Sequence, residues 1–79
     1  MKAQLISGTF DKTDAIDLVT KMVNAKVKFH ESKIKSTSTE EDVKMRESKI
    51  KNLQKELYDI RNYIEHQPEV TINCEINLN

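Results

Sequence analysis

The stretch "PEVTINCEINLN", residues 68–79, decides the fold. From Val70 onward every even-numbered residue is apolar (Val70, Ile72, Cys74, Ile76, Leu78), and Thr71, Asn73, Glu75 and Asn77 between them are polar. A period of two marks a strand with one face turned to a core. The spacing predicts a strand over 69–78, which needs a neighbour for its backbone and a cover for its apolar face.

Pro68 separates this strand from a helix predicted over 39–66, because proline cannot continue a helical ladder. Apolar residues recur in that segment at Val43, Ile50, Leu57 and Ile64, seven apart, with Leu53 and Ile60 at the intervening positions. This is a heptad seam, broken at Arg46. Ser38 followed by Glu41 reads as the capping box that starts the helix.

An earlier helix is predicted over 12–35. Asp11 sits at its N-cap with Asp14 three residues on, and Phe10 is placed to staple onto Ala15. It carries two apolar stripes. One is Ile16, Val19, Val23, Val27 and Ile34, with His30 in line; the other is Ala15, Leu18, Met22, Ala25 and Phe29. A helix apolar on two sides is covered on two sides. One stripe suits the second helix and the other suits a sheet.

The opening residues 2–8 read as a strand ending near Gly8, although adjacent Leu5 and Ile6 spoil its alternation. The order is β-α-α-β, an α+β fold. A short turn after residue 35 folds the helices into an antiparallel hairpin and brings both terminal strands to one end, where they pair antiparallel. The second stripe of the first helix should then cover the sheet. A two-stranded sheet is marginal alone and leaves both long edges open, so a homodimer joined edge to edge into four strands is expected.

The chain's 79 residues make one domain, of a size that buries little surface as a monomer. A lone cysteine excludes an internal disulfide, and His30, His66 and Cys74 lack metal-ligand spacing. No apolar run is long enough to span a bilayer and no leader is evident, so a cytoplasmic protein is expected. The Lys, Ile and Asn richness, with little Gly or Pro, suggests a bacterial or phage source.

Charge is balanced in total but not along the chain. Residues 21–55 hold ten Lys or Arg against five acidic residues, whereas 56–79 hold one against five. The basic stretch falls at the hairpin tip, and Lys33, Lys35, Lys44, Arg46, Lys49 and Lys51 are candidates for a phosphate contact. Interleaved Glu31, Glu40, Glu41, Asp42 and Glu47 favour a solvated tip instead. Phe29, the one aromatic there, is expected to be buried.

The remaining candidates read as structural. Asp11 and Asp14 belong to the helix cap, and Asp17 lies on a polar strip. Ser7, Gly8 and Thr9 before a helix start are too poor in glycine, and too close to three aspartates, for a phosphate loop. His30 reads as a partly buried structural histidine, His66 as a helix-end residue, and Cys74 as an inert buried thiol. Tyr58 and Tyr63, off the seam, are expected against the sheet or a second subunit. With Met22, Phe29, Ile72 and Ile76 they form the candidate oligomer interface.

The opening "MKAQLISGTFDKTDAIDLVTKMV", residues 1–23, resembles the first strand–turn–helix of the ribosome hibernation promoting factor family in its strand, its glycine and its helix beginning Thr-Asp-Ala. That family continues into further strands where this chain enters a second helix. No residue or activity is therefore carried across. The expected function is a small non-enzymatic protein-interaction or assembly module without cofactor. The alternatives are a nucleic-acid or ribosome contact through the basic tip, and a subunit of an oligomeric enzyme with an inter-chain site.

Overall fold

The computed structural model describes residues 1–36 and 39–79. It shows β1 (Lys2–Asp11), α1 (Lys12–Ser36), α2 (Glu40–Glu65) and β2 (Glu69–Asn77), with β1 and β2 antiparallel in a two-stranded sheet. The α+β arrangement of a helix hairpin and a sheet made from both ends of the chain is the one the sequence predicts. The Ser38 capping box lies outside the described residues.

β1 runs three residues past Gly8 and passes into α1 without a turn. Gly8 stays in the ladder opposite Ile72 at a φ of 151°, a conformation that side-chain-bearing residues rarely adopt. Space does not demand the glycine, since a Cβ placed there would stand 3.7 Å from the Phe10 ring, an ordinary contact; the backbone angle does. Asp11 then caps α1, its Oδ1 accepting the Asp14 amide at 2.8 Å.

The adjacent Leu5 and Ile6 are explained by a β-bulge. Gln4 pairs with Glu75 and Ile6 with Cys74, so Leu5 is the extra residue. The shift places Ala3/Ile76, Ile6/Cys74, Gly8/Ile72 and Phe10/Val70 on one face. Gln4/Glu75, Ser7/Asn73 and Thr9/Thr71 fall on the other. One face is wholly apolar and the other wholly polar. Met1 and Leu78 continue the ladder, the Met1 terminal ammonium donating to the Leu78 carbonyl and the Leu78 amide to the Met1 carbonyl, each at 2.7 Å.

α1 packs along α2 and touches both strands. Ala15 and Ile64 are the buried apolar residues, joined by His30. The sheet covers α1's second stripe only in part: Ala15 is buried and Leu18 and Met22 are half-buried, but Ala25 and Phe29 are exposed. The physical reason is reach. A helix of 25 residues runs about 37 Å, and the sheet meets it from the Asp11 end. At its far end α2 closes with the His66 and Gln67 amides donating to the Tyr63 and Ile64 carbonyls. The His66 ring Nδ1 lies 2.7 Å from the Asn62 carbonyl and donates to it. No helix among the described residues is long and apolar enough to cross a membrane.

Candidate interaction surface

The two interruptions of the helical seams meet. His30 breaks α1's first stripe and Arg46 breaks α2's heptads, and the fold-back sets them side by side. Arg46 Nη1 donates to His30 Nδ1 at 3.0 Å. Arginine has no acceptor, so Nδ1 is bare and the ring proton sits on Nε2. Burial first, then the charges of Arg46, Lys49 and Lys26, lower the His30 pKa from 6.5 and hold it neutral.

Arg46 is the most enclosed of the proposed basic contacts, with 18% of its side chain exposed. Its Nε lies 3.7 Å from Asp42 Oδ2, a charge contact too long for a hydrogen bond, and is otherwise unpartnered. Helical neighbours alone, Lys26 and Ile34, give no hint of this pairing. The signal is the hairpin itself: residue 30 lies six short of the end of α1 and residue 46 six past the start of α2, so antiparallel packing sets them side by side.

Phe29 is not buried. The residue is 54% exposed, its ring edge-on to His30 with centroids 5.6 Å apart. Lys33 Nζ and Arg46 Cζ stand 5.7 and 5.9 Å from its centroid, within cation–π range. A helix of this length outruns the sheet, and α2 occupies a different flank, so no element covers the ring. Beside it lies a shallow groove of about 340 Å³ lined by Lys26, Phe29, His30, Lys49, Asn52, Leu53 and Glu56.

The basic tip is less available to phosphate than its composition implies. Arg46 is enclosed, Lys33 stands over Phe29, and Lys44 pairs with Glu40 at 3.4 Å. Lys35, Lys49 and Lys51 are exposed. Of the aspartates, Asp11 caps α1 and Asp17 pairs with Lys21 at 2.9 Å. Among the described residues no three His, Cys, Asp or Glu side chains come together.

The interface candidates divide by exposure. Met22 and Ile72 are half-buried; so is Cys74, outside that set, whose thiol is less enclosed than expected. Ile76 is exposed, and Tyr58 and Tyr63 are 67% and 65% exposed. The tyrosines do not pack on the sheet within the chain. Five residues apart on a helix, they point about 140° away from each other and cannot share one flat contact. Residues missed by sequence reasoning, Leu5, Met45 and Ile60, also expose large apolar side chains. Leu5 is identifiable as the residue that breaks alternation; Met45 lies beside the α2 seam, and Ile60 belongs to the seam but is 38% exposed.

The sum of these exposures is large. A folded monomer of 9.2 kDa exposes about 4,900 Å², and this chain exposes 6202 Å². Its radius of gyration is 15.0 Å, against about 12 Å for a compact chain of this length. Compared with family models, curated protein sequences and solved structures, the chain matches none.

Proposed function

We propose that this chain is a small non-enzymatic interaction or assembly module whose fold is completed by another protein. The observation that carries the reading is the excess of about 1,300 Å² of surface over a typical monomer. A standard interface covers about 800 Å² on each partner, so the excess is more than enough for one such contact. The uncovered surface includes Phe29, Ile60, Tyr63, Ile76 and Leu78, side chains of the kind found at the centres of interfaces.

Photo-crosslinking amino acids at Phe29 and Tyr63, with Lys51 and Lys55 on the solvent face as controls, test this in the cells that make the protein. The expected result is protein adducts from the first pair well above the controls. Equal yields from both pairs would overturn the reading. Adducts that disappear on nuclease treatment would replace it with the nucleic-acid contact at the hairpin tip.

A further inference from the structure

We infer that the partner is a second copy of this chain, joined through the free edge of β2 into a continuous four-stranded sheet in the order β1-β2-β2-β1. This rests on the assembly reading and gives it an occupant and a register.

The two sheet edges differ. β1 carries Lys2, the Leu5 bulge and the positive-φ Gly8, devices that spoil pairing with another strand. β2 has none of these: nine residues without Lys, Arg, Pro or a bulge, flanked by Pro68. Its backbone is also oriented for pairing. Leu78 exchanges hydrogen bonds with Met1, so the even-numbered residues of β2 direct N–H and C=O toward β1. Glu69, Thr71, Asn73, Glu75 and Asn77 direct theirs outward.

Symmetry then selects the partner. A twofold axis normal to an antiparallel ladder passes through a residue pair, because hydrogen-bonded and non-bonded pairs alternate. Paired residue numbers must therefore sum to an even value. Every apolar residue of β2 is even-numbered, so apolar meets apolar in any symmetric register.

Charge narrows the choice. Centring on Ile72 sets Glu69 opposite Glu75, and centring on Glu75 sets that residue against itself. Centring on Asn73 uses all nine residues, pairs Ile76 with Val70 and Cys74 with Ile72, and sets no like charges opposite each other. It supplies up to about ten new backbone hydrogen bonds. The same axis keeps both hairpins on one face of the sheet, where their uncovered apolar side chains add to the buried area.

The test is the mass of the full chain in solution. Wild type should sediment at twice 9.2 kDa at micromolar concentration. Asn73→Pro removes an outward N–H that the β1–β2 ladder does not use, and an edge strand tolerates proline there. That variant should fall to 9.2 kDa with its helical signal retained. Ser7→Pro, on the free edge of β1, should remain dimeric. Should Asn73→Pro fail to fold, Asn73→Cys with Cys74→Ala decides the matter. The two new thiols would face each other across a pair with Cα atoms about 5.5 Å apart, and mild oxidation should link them. A wild type at 9.2 kDa throughout, a dimeric and folded Asn73→Pro, or no disulfide in the cysteine variant would each overturn the pairing. A monomer that still crosslinks to other proteins from Phe29 and Tyr63 would leave the assembly reading standing.

Discussion

Ile64→Ala is the substitution that tests how little core this fold has. Ile64 is 3% exposed, near the end of α2 that the sheet adjoins, and only Ala15 among apolar residues is more enclosed. The change removes three carbons. At about 0.8 kcal/mol per buried methylene, the lost transfer free energy is ~2.4 kcal/mol. The void left behind adds to this, and about 3 kcal/mol is a fair central value for buried Ile→Ala changes. Domains hold about 0.05–0.15 kcal/mol per residue, or roughly 4–12 kcal/mol for a chain of 79. With so few enclosed side chains this one belongs at the low end. A loss of about 3 kcal/mol then removes most of its stability and lowers the thermal midpoint by about 12–24 °C. Ile60, one turn earlier on α2, is 38% exposed and makes the control. Its truncation to Ala leaves no enclosed void and should cost about 1.5 kcal/mol. Urea titrations followed by helical circular dichroism, at matched protein concentration, measure both. Equal costs for Ile64→Ala and Ile60→Ala, or a cost below about 1 kcal/mol for Ile64→Ala, would refute the placement of the core.

Three further outcomes follow from single contacts. Asp11→Ala removes the acceptor for the Asp14 amide and should cost about 1 kcal/mol, with Asp11→Asn recovering most of it in the same titration. His30 has a folded pKa below its ordinary 6.5, so the unfolded chain takes up that proton first. Its contribution is present above pH 6.5 and is lost as pH falls below it; stability measured from pH 7 to 5 should decline, and more shallowly in His30→Gln. Deleting Leu5 removes the bulge but leaves Ala3, Ile6, Gly8 and Phe10 on the apolar face, so cooperative unfolding should persist. Deleting Thr71 instead turns the β2 residues before it to the wrong face and should abolish that transition.

The order of elements was legible because each segment carries a clean period: two in 70–78, seven in 43–64, and paired stripes in the first helix. The capping of α1 was legible too, since Asp11 and Asp14 have the spacing the hydrogen bond needs. What was not legible came from geometry between segments. Glycine usually punctuates a strand, which points to Gly8 as the end of β1, whereas here it continues the ladder at a backbone angle that other residues rarely adopt. Phe29 was assigned to a stripe that ought to be covered, but the pattern of a stripe carries no information about how far a two-stranded sheet reaches along a helix. Arg46 was counted among free cations because a heptad break on one helix looks like solvent exposure until the other helix's break is laid against it.

That last pairing bears on specificity. A hairpin with uniform apolar seams can slide by a heptad or a turn with little penalty, since valine against leucine packs much the same one step along. His30 and Arg46 remove that freedom. In any slipped register the guanidinium would lose its imidazole acceptor and the enclosed imidazole would lose the Arg46 donor, a cost that the Asp42 contact within α2 does not offset. The native register is thus selected by the cost of the wrong ones. Because Lys26 and Lys49 already surround the site with positive charge, protonating His30 would weaken that selection. Helical register and sheet register are fixed by separate devices, the His30–Arg46 pair at one end and the apolar and polar faces of the paired strands at the other. Between them they hold the apolar edge of β2 at a constant position relative to the hairpin. A strand edge held in one position would lower the ordering cost of the proposed association.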